Sequence, residues 1–330
     1  MLLLARVGSV DIYAPCSKWM ASFFCSRRAI HARAQALDLS TDAEFGGEAL
    51  SPVEGRVELV KEIDAGSGPY SRSDYIIVVR CGRLFTRILH VRPSVMPGDR
   101  VSVGDYIGRF VKSNSMGWPL VPHMHIEVTR ALKIGDYTQN YYFTASPQLV
   151  EFLRRERVFA YGYPVLKARV VHASQGYTLL KPVEGGSCIT VVASRREAVL
   201  DGEVRDETVY VGLVSIEPKP PRPVGSVKFL EASIAQVMKL FKNLAVALNS
   251  IGPYEEKIRD LSNYEPNALL NPENTLFPFL HILDIYANGK QLPYVQVFFG
   301  TLACIALPSR FDDTHVYINV RPYEPRLAPV

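Results

Sequence analysis

The sequence lacks the features that would assign it to a disulfide-rich, secreted, membrane or nucleic-acid-binding class. Its five cysteines are odd in number and form no CxxC pair, so no closed disulfide framework is indicated. No apolar run approaches the length of about 18 residues that a membrane span needs, and the start of the chain lacks a secretory signal pattern. The formal net charge of +4 is spread out, which gives no reason to expect nucleic acid. We therefore expect a cytoplasmic protein without a membrane span.

The length and composition allow more than one hydrophobic core. The chain has 330 residues, of which 48% are hydrophobic and 21% charged. A chain of this length usually forms two domains. We place the first domain at residues 1–158 and the second at residues 159–330.

The first domain shows the pattern of an antiparallel β structure. Short runs of alternating apolar residues, broken by turn residues, cover 35–39, 55–63, 74–80, 84–91, 100–110 and 123–129. Ser146 followed by Pro147 is a typical helix start, and it predicts a helix over 147–158. The first domain is therefore mainly β, with one helix at its end.

The second domain predicts an α+β structure. Runs at 166–173, 188–192 and 208–216 indicate strands, and a proline-rich segment follows at 217–223. Apolar residues recur at helical spacing over 229–248, ahead of Gly252-Pro253, and predict a helix with a packed core face. Asn288-Gly289 predicts a type I′ hairpin, and a last strand is expected at 315–320. The fold class is α+β, mainly β.

Four histidines and an aspartate in the first domain could form a metal site. His123 and His125 lie two residues apart on a predicted strand, so their imidazoles share one face. Asp38 lies in an apolar run, where an unpaired charge would be costly, and His31 precedes it by seven residues. His90 ends another apolar run. One carboxylate and two imidazoles leave a fourth position for water, as catalytic zinc requires, although ordinary core or surface histidines would also explain the pattern.

The order of these motifs resembles that of the lysostaphin-type zinc metallopeptidases, the family of LytM-like murein endopeptidases. The resemblance covers residues 30–128. It rests on Asp38, Ser51-Pro-Val-Glu-Gly55, Ile88-Leu-His-Val91, the segment Val95-Met-Pro-Gly-Asp-Arg-Val-Ser-Val-Gly-Asp-Tyr-Ile-Gly108 and Pro122-His-Met-His-Ile-Glu-Val128.

The resemblance implies a fold, a cofactor and a set of site residues. The fold would be the duplicated hybrid motif of the family, an antiparallel β sandwich, and the cofactor one Zn²⁺ ion. Asp38 and His125 would be metal ligands, His123 the general base or electrostatic partner, and His90 a second catalytic histidine. Glu127 would either orient a histidine or be an ordinary paired strand glutamate. The implied activity is that of a zinc metalloendopeptidase acting on short flexible or glycine-containing peptides.

Two positions depart from the family pattern. The family places its first ligand four residues before the aspartate, where this chain has Ala34, so His31 would have to serve through a bulge or loop. Without His31 the site would be inactive or would recruit Cys25. The segment 112–119 replaces a glycine- and serine-rich loop, and Trp118-Pro119 would form a bulkier wall. The aromatic residues that follow would line a peptide groove or pin the helix at Pro147; they are Tyr137, Tyr141, Tyr142 and Phe143.

The sequence is also compatible with other functions. A binding or scaffold module that has lost catalysis is the main alternative, and a carrier or phosphotransfer domain ranks behind it. His172, His281, His315 and Cys81 have no partner motif, and we expect no site at them. The second domain could select substrate, mediate oligomerisation or block the groove, and the sequence does not indicate the oligomeric state.

Overall fold

The computed structural model describes residues 1–24, 29–116, 121–132, 139–193, 195–205, 210–218, 221, 226–230, 232–248 and 283–322. Strands make up most of these ranges, which also contain two helices. No helix in the described ranges is long and apolar enough to span a membrane. The mainly β character predicted from the sequence is confirmed.

The first part of the chain forms a hairpin and two antiparallel sheets. The β1–β2 hairpin stands alone, the larger sheet has the order β10-β6-β7-β8-β12-β4-β3, and the smaller has the order β5-β11-β9. The arrangement of the two sheets as a sandwich stays a prediction. The elements are β1 (Leu2–Val7), β2 (Val10–Ala14), β3 (Met20–Ser22), α1 (Ala29–Ala32), β4 (Leu37–Ser40), β5 (Glu48–Leu50), β6 (Gly55–Asp64), β7 (Ser73–Cys81), β8 (Leu84–Leu89), β9 (Val91–Pro93), β10 (Arg100–Val101), β11 (Tyr106–Phe110), β12 (Met124–Thr129) and α2 (Pro147–Arg155).

Strand β12 lies inside the seven-stranded sheet and is buried on both faces. Met124, Ile126 and Val128 are fully buried in the apolar core. His125 and Glu127 alternate with them, so they point to the opposite face. The period of two that predicted this strand thus also separates its apolar residues from its polar ones.

Two of the predicted runs are interrupted by residues with positive φ. The run 84–91 divides into β8 and β9 at His90, whose φ is 68°. The run 100–110 divides into β10 and β11 at a turn that contains Gly104, whose φ is 95°. A left-handed residue is incompatible with continuous pairing, and at His90 it redirects a side chain that the sequence had assigned to a site.

Helix α2 begins where the sequence predicted. The Ser146 hydroxyl accepts a hydrogen bond from the Leu149 N–H, and Pro147 occupies the first turn, where its missing N–H costs nothing. The helix ends at Arg155, three residues before the predicted end, because residues from Arg157 onward pair in parallel with a strand that begins at Cys188.

The second part of the chain forms one large sheet. Its order is β13-β16-β19-β20-β21-β18-β17-β24-β25-β15-β14-β26-β22-β23, and an additional pairing of β16 with β17 closes six strands into a cycle. The strands are β13 (Arg157–Phe159), β14 (Leu166–Ala173), β15 (Thr178–Pro182), β16 (Cys188–Ala193), β17 (Arg196–Arg205), β18 (Tyr210–Ser215), β19 (Ser226–Phe229), β20 (Ala232–Phe241), β21 (Leu244–Leu248), β22 (Leu283–Ala287), β23 (Lys290–Leu292), β24 (Tyr294–Val297), β25 (Ile305–Leu307) and β26 (His315–Pro322).

The hairpin predicted at Asn288-Gly289 is confirmed. It joins β22 to β23, and the φ values of its central residues are 48° and 77°. A type I′ turn requires positive φ at both positions, which asparagine and glycine adopt at the least cost. The strands predicted at 166–173, 188–192, 208–216 and 315–320 correspond to β14, β16, β18 and β26.

The helix predicted over 229–248 is wrong, because these residues form strands β19, β20 and β21. Leu230 and Lys242 have φ values of 53° and 57° and lie between the strands. Phe241 pairs with Leu244, so Lys242-Asn243 is a hairpin turn inside the apparent helix. The run has apolar residues at so many positions that it fits a period of 3.6 as well as a period of 2. No helix is found among the described residues after 158; Gly252-Pro253 and much of 217–223 lie outside them.

The larger apolar core draws on both parts of the chain. Phe23, Leu37, Ile126 and other residues of the first part cluster with residues of the second, among them Val214 and Phe299. A second cluster consists of residues from 158 onward. The division into two domains at residue 158 stays a prediction, but apolar contacts join the two sides.

Candidate metal centre

Strand register brings the first three site residues together. On the larger sheet, β12 lies between β4 and β8, and His125 pairs with Asp38 on one side and Leu89 on the other. Paired residues on neighbouring strands project from the same face, so Asp38 lies directly beside His125. His90 follows Leu89 immediately, which places it on the other side of His125.

His31 joins these residues from a short helical turn. Helix α1 precedes β4, and its backbone closes with hydrogen bonds from Ala34 N to His31 O (2.8 Å) and from Gln35 N to Ile30 O (2.9 Å). Ala34 itself is fully buried and has a φ of 52°. The extra residues before Asp38 are therefore taken up by a helical turn with a left-handed end. The sequence-based hypothesis had a bulge or loop here, and the helical turn brings His31 to the same side chains.

Three donor atoms converge in this cluster. His31 Nε2 lies 3.1 Å from His125 Nδ1 and 3.4 Å from Asp38 Oδ1, and the last two atoms are 2.9 Å apart. Four ligands at about 2.05 Å around a tetrahedral ion lie about 3.3 Å from one another. The triangle of two nitrogens and one oxygen is thus close to one face of a zinc tetrahedron. All three residues are buried.

The second ring nitrogen of each of the four histidines faces a protein acceptor. His31 Nδ1 lies 2.7 Å from Phe23 O, and His123 Nδ1 lies 2.9 Å from Val121 O. His125 Nε2 lies 3.1 Å from a carboxylate oxygen of Glu127, and His90 Nδ1 lies 2.6 Å from one of Asp74. A proton on each of these nitrogens leaves the opposite nitrogen with a lone pair, as a metal ligand or a general base requires.

His123 and His90 form the second half of the histidine cluster. The centroids of their rings are 5.5 Å apart, and the His90 ring lies 6.1 Å from that of His125. His123 Nε2 lies 3.8 Å from Asp38 Oδ2, longer than a hydrogen bond. These two histidines therefore lie beside the triangle of donor atoms without being part of it.

Burial and neighbouring charges set the protonation of the cluster. Burial lowers the pKa of His123 to about 4, so this imidazole is neutral at pH 7. Burial also opposes the charge on His125, but Asp38 and Glu127 outweigh it and raise the pKa of His125 to about 9. For Asp38, burial raises the pKa, whereas His31 and His123 bring it well below its usual range. Without a metal, Asp38 is thus ionised at pH 7 and His125 carries a second proton, which a bound metal would displace.

A second layer of polar side chains holds His125. Glu127 is buried and also pairs with Arg87, whose Nη1 lies 3.3 Å from Glu127 Oε2. The Asn140 amide donates to the same oxygen at 3.1 Å. Burial opposes the charge on Glu127, but His125 and Asn140 lower its pKa overall. Glu127 thus fits both roles that the sequence left open, since it contacts His125 with one oxygen and pairs with Arg87 through the other.

Sequence reasoning missed the partner of His90. Asp74 is fully buried and accepts hydrogen bonds from His90 and from the Ser115 hydroxyl. Burial opposes the charge, but His90 and Ser115 bring the pKa of Asp74 well below its usual range. The signal was present, because Asp74 precedes an uninterrupted apolar run and an acid there needs a partner.

A small pocket adjoins the cluster and includes the second part of the chain. Its volume is 20 Å³, and its lining includes Asp38, His123, Met20, Val121 and Phe298. A wider groove of 440 Å³ is lined by Tyr141, Tyr142 and Phe143 without any of the four histidines.

The remaining predicted residues fall in two groups. Phe143 is buried beside Phe23, while Tyr142 stacks on Phe241, and the groove they help to line is separate from the cluster. His172 contacts the ring of Tyr177, and neither it nor His315 belongs to the metal cluster found among the described residues. The others lie outside the described residues; they are Cys25, Trp118, Pro119, Tyr137 and His281.

Comparison with known proteins identifies one family model and distant structures. Residues 12–136 match a model described as "Domain of unknown function (DUF8155) N-terminal domain". No curated protein matches the chain. CbpA from L. salivarius REN is 18% identical, with 29% of this chain and 60% of that chain covered and a TM-score of 0.21. A mutant catalytic domain of the prophage-encoded M23 protein EnpA from Enterococcus faecalis is 23% identical, with 33% and 74% covered and a TM-score of 0.23. This chain therefore spans less than two thirds of the CbpA chain.

Proposed function

We propose that this protein is a zinc-dependent endopeptidase that hydrolyses short flexible or glycine-containing peptides. The observation that carries the proposal is the triangle of His31 Nε2, Asp38 Oδ1 and His125 Nδ1, with sides of 2.9–3.4 Å. The order of the sequence motifs over residues 30–128 supports the same activity.

The donor set fits a single zinc ion. Two neutral imidazoles and one carboxylate are common zinc ligands, and they leave a fourth position for water or substrate. Each imidazole in the triangle has its second nitrogen beside an acceptor, Phe23 O or Glu127, so the other nitrogen would be the one that holds the ion. When bound, zinc would polarise the scissile carbonyl and lower the pKa of a coordinated water.

His123 is the residue we assign as general base. It lies beside Asp38 but at 3.8 Å, and its Nδ1 is occupied by Val121 O, so Nε2 is the nitrogen that faces the cluster. Because the pKa of His123 is lowered to about 4, its Nε2 is unprotonated at pH 7 and can accept a proton from water.

His90 is the second catalytic histidine of the proposal. Asp74 accepts from its Nδ1 and thereby orients the ring. With Nδ1 occupied, Nε2 can exchange a proton with the leaving amine or, when protonated, donate a hydrogen bond to a developing negative charge. Asp74 acts on this chemistry only through His90 and is a positioning residue.

The catalytically inactive binding module would make different demands on the same residues. Such a module needs no base beside the metal and no carboxylate that fixes the tautomer of His90. The buried His90–Asp74 pair supplies such a carboxylate, and His123 supplies such a base. We therefore prefer the enzyme.

The test combines metal content with cleavage. Purified protein is analysed for zinc before and after chelation, and each form is incubated with a library of glycine-containing peptides. We expect one zinc per chain and cleavage that chelation abolishes and zinc restores. His123→Ala is the matched variant: it should keep its zinc and lose cleavage. A zinc-free protein would contradict the proposal, and a zinc-loaded protein that cleaves nothing would establish the binding module instead.

A further inference from the structure

The segment Trp19–Phe24 belongs to the first part of the chain but lies along the second. Ala21 and Phe299 exchange backbone hydrogen bonds of 2.8 and 3.1 Å. Trp19 N–H donates to the Thr301 hydroxyl at 3.2 Å, and Trp19 O accepts from Leu302 N–H at 3.0 Å. The edge strand β3 of the seven-stranded sheet thus forms hydrogen bonds with residues 299–302, outside that sheet.

A buried carboxylate of β17 fixes the end of this segment. Asp201 is fully buried. Its Oδ2 accepts from the Phe23 N–H at 2.8 Å, and its Oδ1 accepts from the Ser22 hydroxyl, which in turn accepts from the Phe24 N–H at 3.0 Å. These donors are neutral, so the acid is held without an opposite charge among them. Because a buried donor or acceptor left without a partner is costly, these hydrogen bonds hold the backbone of residues 22–24 against β17.

Two glycines, one in β17 and one in β18, leave room for Phe24 at the end of the segment Trp19–Phe24. A Cβ added to Gly212 would lie 2.0 Å from the Phe24 ring, and one added to Gly202 would lie 3.1 Å from Phe24 O. Gly202 also has a φ of 127°, a conformation that other residues rarely adopt. Strands β17 and β18 are therefore shaped to receive Phe24, independently of the carboxylate.

The same segment carries the acceptor that orients His31. Phe23 offers its N–H to Asp201 and its carbonyl to His31 Nδ1, at 2.8 and 2.7 Å. Ser22, on the other side, pairs with Asp38 in the β3–β4 register. Phe23 thus lies between the Asp201 carboxylate and the His31 imidazole, with a hydrogen bond to each.

We propose that Asp201 is a positioning residue of the metal centre, which it serves by holding the Phe23 carbonyl against His31. The inference rests on the proposed function and extends it, because it makes the second part of the chain a component of the site. Outer partners of metal-binding histidines typically change metal affinity by about 10- to 100-fold. Asp201→Ala should weaken zinc binding within that range.

The experiment uses the full chain and three variants. Asp201→Ala removes both acceptors, whereas Asp201→Asn keeps a carbonyl oxygen for the Phe23 N–H and an amide that can donate to Ser22. Glu203→Ala is the matched control, since Glu203 is also buried on β17 but accepts from Gln296 instead. Zinc affinity is measured by competition with a chelator, and the visible spectrum of the Co²⁺-substituted protein reports the ligand geometry.

We expect Asp201→Ala to bind zinc about 10-fold or more weakly and to change the Co²⁺ spectrum. Asp201→Asn should have the zinc affinity and the Co²⁺ spectrum of the wild type. Glu203→Ala should alter neither the affinity nor the spectrum, even if it unfolds at a lower temperature. Wild-type affinity and spectrum in Asp201→Ala would overturn the positioning role while leaving the proposed function intact. Absence of metal binding in the wild type would overturn both.

A milder variant covers the case in which Asp201→Ala does not fold. Ser22→Ala removes the hydroxyl that joins Asp201 to the segment and keeps the Phe23 N–H contact. It should weaken zinc binding a few-fold and change the Co²⁺ spectrum in the same direction. Affinity and spectrum equal to wild type in folded Ser22→Ala would overturn the proposal.

Discussion

The substitution Asp74→Asn separates the proton chemistry of the site from its metal binding. Asp74 Oδ2 accepts from His90 Nδ1 at 2.6 Å and from the Ser115 hydroxyl, while Oδ1 accepts from the Tyr75 N–H at 2.8 Å. Asparagine has one acceptor oxygen for these donors. If that oxygen stays on Tyr75, the amide NH₂ faces His90, whose Nδ1 must then become an acceptor.

The expected loss follows from the tautomer. With Nδ1 as an acceptor, the single proton of neutral His90 moves to Nε2, and the lone pair that faces the cluster is lost. The same exchange of aspartate for asparagine behind the histidine of a serine protease lowers kcat about 10⁴-fold. Because His90 shares the proton handling with His123 here, we expect kcat to fall by about 10²- to 10⁴-fold. The zinc content should stay at one per chain, since Asp74 does not contact the triangle of donor atoms.

The assay measures kcat and KM for a cleaved peptide, with zinc determined on the same samples. Asp64→Asn is the control, because Asp64 ends β6, which pairs with the strand β7 that carries Asp74, and forms an exposed ion pair with Arg72. It should leave kcat within a few-fold of wild type. The reasoning would be refuted if Asp74→Asn retained wild-type kcat, or if it lost its zinc.

Three further predictions concern metal binding and pH. Alanine at His31, Asp38 or His125 should reduce zinc from one per chain to near zero by elemental analysis, whereas His123→Ala should keep the metal. Since the pKa of His125 is raised to about 9 without metal, zinc binding at pH 7 should displace a proton, and the zinc affinity should fall by up to tenfold for each pH unit below about 9. Calorimetry in buffers of different ionisation enthalpy would detect the released proton. A zinc affinity that does not change with pH would contradict this prediction. Burial raises the pKa of Asp201 to about 7, above its unfolded value, so the contribution of Asp201 to the stability of the zinc-free protein should be full below about pH 4 and be lost as pH rises through 7. Urea unfolding at pH 5 and pH 8 measures this loss, which Asp201→Asn should reduce.

The sequence predicted the residues of the cluster better than the backbone that brings them together. Alternation over 123–129 predicted that His123 and His125 lie close together, although β12 itself begins at Met124. The acid in an apolar run marked Asp38 as a residue that needs a partner. The route of His31 was missed, because a one-turn helix such as α1 is too short to produce a periodic signal. The left-handed φ of His90 was equally invisible, since positive φ is too uncommon even for histidine to be predicted from one residue.

The contribution of the second part of the chain could not be read from the sequence. Asp201 lies 178 residues from Phe23 along the chain, and only the folded register of β17 brings the two together. The helix expected over 229–248 is wrong for a local reason. In β21 the residues 244–247 are all apolar and buried, so the period of two that distinguishes a strand from a helix is absent there.

The most direct test of the account is the position of zinc in a crystal of the zinc-loaded protein, located from anomalous diffraction at the zinc absorption edge. The account predicts a single strong peak within about 2.0–2.2 Å of His31 Nε2, Asp38 Oδ1 and His125 Nδ1. It would be contradicted by a crystal without an anomalous peak there, or by a peak whose ligands include neither His31 nor Asp38.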